Sequence, residues 1–125
     1  MNIPTDLLYT ADHEWIRLEG DIATVGVTDY AQGELGDIVF VEVETEGDEL
    51  DADEVFGTIE AVKTVSDLFL PVAGKIIEFN SSLEDDPSLI NHDPFGEGWI
   101  VKLKARDTLD VEELMDAESY AASLG

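Results

Sequence analysis

Four lysines, Lys63, Lys75, Lys102 and Lys104, are all that survive in a chain with 30 acidic and 6 basic side chains. Three lie in or beside strand-like runs, where an outward or edge position accounts for them. Lys63 lies instead between two β-rich runs, residues 55–62 and 65–70, where a hairpin must reverse. Its neighbours, Glu60-Ala61-Val62 and Thr64-Val65-Ser66, include no glycine or proline. A tight turn built from such residues presents its tip rigidly and in the open. On position alone, two readings stand: a charge that blunts a hairpin tip, or an amine that accepts a group. An amine with a pKa of about 10.4 is protonated at neutral pH and is a poor nucleophile unless desolvated. Nothing close in sequence would desolvate it. Chemistry at Lys63 therefore reads as attachment of a group rather than catalysis.

Other constellations are weaker. His13 and His92 form no spaced pair for a metal, and His92-Asp93-Pro94 reads as a turn. Asp51-Ala52-Asp53-Glu54 lacks the central glycine and the distant bidentate glutamate of a calcium loop. Gly96-Glu97-Gly98 lacks the third glycine and the preceding strand of a dinucleotide site. No G-x-S-x-G elbow occurs. The absence of cysteine removes thiolate metal sites, disulfides and cysteine nucleophiles. No metal site and no independent catalytic set is expected.

The elements that would position Lys63 are mostly strands. Residues 14–18 alternate polar and apolar, Glu19-Gly20-Asp21 turns, and 22–27 return. Thr28 is placed to cap a short helical turn at 29–32, closed by Gly33 and Gly36. Strands are expected at 37–43, 55–62, 65–70, 75–79 and 98–104. Ser81-Ser82-Leu83-Glu84 has capping-box spacing and should start a short helix that stops before Pro87. Asp110 and Glu113 open a C-terminal helix over about 110–123. Gly36-Asp37-Ile38-Val39 echoes Gly74-Lys75-Ile76-Ile77, a thin sign of two similar halves. Short strands with tight turns imply an all-β sandwich or barrel with short helices. One domain over 1–125 is expected, with its core at about 9–104.

A net charge of −24 excludes nucleic acid as a partner, since phosphate recognition needs cations that are missing. Hydrophobic residues still make up 44% and the acids are spread evenly, which argues for a folded domain rather than an acidic tail. No apolar run approaches the roughly 18 residues of a membrane span. The start, Met1-Asn2-Ile3-Pro4-Thr5-Asp6, has no signal-like pattern, so a cytoplasmic protein is expected. The even spread favours adaptation to a salty cytosol, with docking onto basic partners as the alternative.

A longer pattern is more specific. His13-Glu14-Trp15 is followed by Gly26-Val27-Thr28-Asp29-Tyr30-Ala31-Gln32 and Leu35-Gly36-Asp37-Ile38-Val39-Phe40-Val41-Glu42. Then come Gly57-Thr58-Ile59-Glu60-Ala61-Val62-Lys63-Thr64-Val65-Ser66-Asp67, Pro71-Val72-Ala73-Gly74 and Asn91-His92-Asp93-Pro94-Phe95-Gly96-Glu97-Gly98-Trp99. From about Tyr9 to Tyr120 the chain closely resembles the H-protein family of the glycine cleavage system.

The resemblance implies a lipoyl/biotinyl-domain-like flattened β-barrel of two antiparallel sheets with a C-terminal helix. It implies a covalently bound lipoate on Lys63, with Glu60 and Gly74 at positions that lipoylating enzymes recognise. The partners it implies are the pyridoxal-phosphate-dependent glycine decarboxylase (P protein), the tetrahydrofolate-dependent aminomethyltransferase (T protein) and dihydrolipoamide dehydrogenase (L protein). The chain would be their non-catalytic carrier, and tethering would make each encounter local. In this family the arm folds into a cleft. Glu14 and Asp67 match cleft positions whose carboxylates would pair with an ammonium; Asp12 stands where some members carry serine, and Glu34 where some carry histidine. Other lipoyl or biotinyl domains, an H-like lipoate donor and an unmodified adaptor are the alternatives. Val62 and Thr64 replace the methionines usual beside a biotinyl lysine.

Overall fold

The computed structural model describes residues 2–124. Among the described residues nine strands form two antiparallel sheets, accompanied by four short helices. The larger sheet holds β1 (Leu8–Tyr9), β2 (Glu14–Glu19), β3 (Ile22–Val27), β9 (Val101–Ala105), β8 (Gly74–Phe79) and β5 (Glu49–Leu50), in that spatial order. The smaller holds β4 (Ile38–Glu42), β6 (Val55–Ala61) and β7 (Val65–Phe69), with β6 central. The two sheets form the expected flattened, lipoyl-domain-like sandwich; hydrogen bonding does not close them into one barrel among the described residues.

Strand alternation decides what each sheet buries. Ile16, Val25, Ile76 and Leu103 of the large sheet meet Val41, Phe56, Ile59 and Leu68 of the small one in a single core. The opposite face of β2 is also covered. Trp15 joins Leu7, Tyr9, Ala117 and Tyr120 in a second cluster beneath the C-terminal segment. Helix α1 (Asp29–Leu35) is capped as the sequence suggests, with Thr28 Oγ1 accepting from the Ala31 N–H. It runs through Gly33, and Gly36, at φ +82, ends it.

Several elements depart from expectation. The two-residue strands β1 and β5 and the helix α3 (Leu89–His92) carry too little pattern to be read. The capping box at Ser81 does not form: helix α2 (Ser82–Asp85) is entered from Asn80, whose Oδ1 accepts from the Ser82 N–H. The helix expected over about 110–123 divides. A 3-10 turn covers Thr108–Glu113, Leu114 is extended, and helix α4 begins at Ala117 (Ala117–Leu124). The cause is long-range, because Met115 exchanges both backbone hydrogen bonds with Tyr9, at 2.8 and 2.9 Å, and this pulls the chain straight.

Candidate functional site

Lys63 stands exposed where β6 reverses into β7. The Ala61 N–H donates to the Thr64 carbonyl at 2.7 Å and closes the tip. The tip is then pinned sideways, since the Val62 N–H donates to the Asp37 carbonyl at 3.1 Å. The Gly36–Ile38 corner that receives it is braced by Asn91 of α3. Asn91 Nδ2 donates to the Gly36 carbonyl at 2.9 Å and to Gln32 Oε1 at 3.0 Å, and its Oδ1 accepts from the Ile38 N–H at 2.9 Å. The aliphatic end of Lys63 lies over Gly36, where a Cβ would sit 3.5 Å from Cε. Glycine is needed here for the positive φ, while a Cβ would make only ordinary contact with the lysine.

Helix α1, which ends under Lys63, is also one wall of a cleft of about 320 Å³. Tyr30 and Glu34 line it from α1, Asp12 from the β1–β2 connection, Glu14 from the start of β2, and Ser66 and Asp67 from β7. Glu14, Asp67, Asp12 and Glu34 all line this one cleft. No lysine or arginine contributes to this lining.

Glu14 is the unusual member, with only 2% of its surface exposed. One carboxylate oxygen accepts from the Phe69 N–H at 2.8 Å, and the other from the Thr10 hydroxyl at 3.4 Å. Burial pushes its carboxyl up to about 8, and the charges of Asp12 and Asp53 add to this. The two hydrogen bonds oppose the rise without cancelling it. An acid held this way is poised to lose its proton when a cation arrives beside it.

The positions expected to mark the hairpin lie apart. Glu60 is exposed on the outer face of the small sheet, across from Phe40 on one side and Val65 on the other. Gly74 is buried in the large sheet, opposite Leu50 and Ala105, with the whole of β7 between it and the tip. A Cβ on Gly74 would run into the Lys104 carbonyl oxygen, so packing alone requires glycine there.

His13, Tyr30, Ser66 and Asn91 were not singled out as site residues in the sequence. The only local signal was their membership of the motif runs. The calcium-like run 51–54 and the two histidines gather no group of three or more metal-ligating side chains among the described residues. No helix among the described residues is long and apolar enough to cross a membrane.

Comparison with known proteins gives one answer. A profile of the glycine cleavage H-protein family matches residues 7–125. The glycine cleavage system H protein of Bacteroides fragilis is 62% identical over 122 residues, covering 98% of this chain and 97% of its own. That of Chlorobium phaeobacteroides is 57% identical over 127 residues, covering 100% and 99%. The crystal structure of a glycine cleavage system H protein from Mycobacterium marinum superposes with a TM-score of 0.89 at 43% identity, covering 98% of this chain and 99% of that one. The chain therefore belongs to the glycine cleavage H-protein family.

Proposed function

We propose that Lys63 is the attachment point of the lipoyl group and that the carboxylate-lined cleft receives the charged end of that arm. As an H protein, the chain is the lipoyl carrier of the glycine cleavage system and works with its P, T and L proteins. It does so as one domain, in the cytoplasm, and without catalytic residues of its own.

The observation that carries this reading is the double duty of α1. Its C-terminal end supports Lys63 over Gly36, and its inward side walls the cleft that holds Glu14, Asp12 and Asp67. An arm rooted there has an acid-lined pocket along the helix that supports it. The group itself would supply a dithiolane whose disulfide is reduced as it takes up an aminomethyl unit, and the dithiol left once that unit has passed on would be reoxidised. The residues of the chain do the rest. Amide formation at Lys63 removes its charge, the rigid tip projects the arm to partner enzymes, and a buried carboxylate pairs with an ammonium drawn out of water. Glu60, exposed on the tip strand, is available to a lipoylating enzyme; Gly74 would serve it by fixing how β8 packs.

The test is glycine–bicarbonate exchange by the decarboxylase partner, with lipoylated wild-type chain, Lys63→Ala and lipoylated Glu14→Gln. Exchange should vanish with Lys63→Ala. With Glu14→Gln it should persist, while the carried one-carbon unit is lost to water several-fold faster. Full exchange with Lys63→Ala would overturn the assignment of the arm, and an unchanged loss rate with Glu14→Gln would overturn that of the cleft.

A further inference from the structure

His13 lines the cleft between two of its acids, and its backbone is unusual. Its φ is +66, a left-handed conformation that is uncommon for any residue but glycine. It sits between Asp12 and Glu14, so this kink sets the direction of the chain from Asp12 into Glu14 at the start of β2. Such a conformation persists only when the surroundings over-determine it, and four contacts do so. The His13 N–H donates to the Thr10 carbonyl at 3.2 Å, and its own carbonyl accepts from the Thr28 N–H at 3.0 Å. The ring packs against Tyr30, with centroids 4.7 Å apart. Its Nδ1 lies 2.9 Å from the hydroxyl of Tyr120.

Tyr120 belongs to the far end of the chain. It is wholly buried, stacked on Tyr9 with centroids 4.7 Å apart and planes within 9°. The same hydroxyl that meets His13 also lies 2.7 Å from Thr28 Oγ1. Thr28 is the N-cap of α1, the helix that supplies Tyr30 and Glu34 to the cleft. One phenol oxygen from α4 thus joins the two walls of the cleft: the His13 kink that aims Glu14, and the cap that orients α1. Burial pushes the Tyr120 phenol up, so the O–H proton stays in place at neutral pH.

We infer that Tyr120 is a positioning residue for the arm cleft, acting through His13 and Thr28, so that the C-terminal helix sets the geometry around Glu14. The inference rests on the reading of that cleft as the arm's resting place for its function, but not for its test.

The test follows the Glu14 carboxyl by ¹³C NMR titration in the unmodified full-length chain. The groups facing it are Asp12, Asp53 and Asp67, with His13, Tyr30 and Glu34 on the surrounding walls. Tyr120→Phe keeps the ring in its stack and removes only the shared oxygen. Its expected effect is a Glu14 midpoint lowered by about one pH unit or more, as the kink relaxes and water reaches the carboxyl. Tyr9→Phe is the control. It loses a hydroxyl in the same cluster whose hydrogen bond goes to the Pro4 carbonyl at 2.5 Å, outside the cleft, and should leave the midpoint where it is. His13→Gly is the second variant. Glycine takes the positive φ freely, so the fold is retained, and the loss of the ring should shift Glu14 in the same direction. An unmoved midpoint in both Tyr120→Phe and His13→Gly, or an equal shift in Tyr9→Phe, overturns the inference. Failure of the arm reading would show separately, as an unchanged loss rate in lipoylated Glu14→Gln, with these titrations intact.

Discussion

Replacing Glu14 by glutamine should make the protein less sensitive to alkali. Glu14 is 2% exposed and titrates near 8 in the native chain, against 4.5 for the free carboxyl. Between those values the native state keeps a proton that the unfolded chain has released, so stability falls as pH rises. The sign follows from a raised native pKa: the contribution is complete below pH 4.5 and gone above about 8. At about 1.4 kcal/mol per pH unit, the window from 4.5 to about 8 costs about 5 kcal/mol. Water entering an open cleft would trim this toward about 3 kcal/mol. Glutamine keeps the shape and an oxygen for the Phe69 N–H, and it cannot ionise. Urea unfolding at pH 5, 7 and 9 in constant molar salt measures the effect as the difference between wild type and Glu14→Gln, which cancels the titration of the other acids. The two should be close at pH 5, and the variant should be the more stable by several kcal/mol at pH 9. A difference that stays flat across this range would refute the claim that Glu14 is buried with a raised pKa.

Three further outcomes follow from the same structure. Gly74→Ala should destabilise the chain by about 2–4 kcal/mol, because the new methyl meets the Lys104 carbonyl in the middle of the sheet; chemical unfolding checks this, and a neutral result would mean that β8 can move away. Asn91→Ala removes the three side-chain hydrogen bonds that brace the Gly36–Ile38 corner. It should cost about 1–3 kcal/mol and lower kcat/KM for enzymatic lipoylation, read by mass spectrometry against time. The melting temperature should rise markedly between low and molar salt, since the described ion pairs are few and exposed and a net charge of −24 is otherwise unscreened. An unchanged melting temperature would remove the salt-adaptation reading.

How much of this was legible depended on how local each signal is. The long strands show in the sequence because β-branched residues are concentrated in them, as in Ile38–Glu42 and Val55–Ala61. The hairpin tip at Lys63 follows from two such runs meeting without a glycine. Two-residue strands have no alternation to read, and the early half of the C-terminal helix is lost to a pairing between Tyr9 and Met115, far apart in sequence. The site divides the same way. Lys63 stands out because cations are scarce, whereas Glu14, Asp12 and Asp67 look like any other acids in so acidic a chain. Glu14 is distinguished by burial and by a hydrogen bond from Phe69, 55 residues away, and only the family resemblance pointed to it. The Tyr120–His13 contact spans 107 residues and has no signature in the sequence at all.

The central claim is that this chain works through a group carried on Lys63. Intact mass of the protein isolated from its own cells, followed by peptide mapping across residues 55–69, tests it most directly. The account predicts a mass increase of one lipoyl group, located on Lys63 and absent from Lys63→Ala expressed in the same cells. An unmodified Lys63, or a lipoyl group found on Lys75, Lys102 or Lys104, would contradict it.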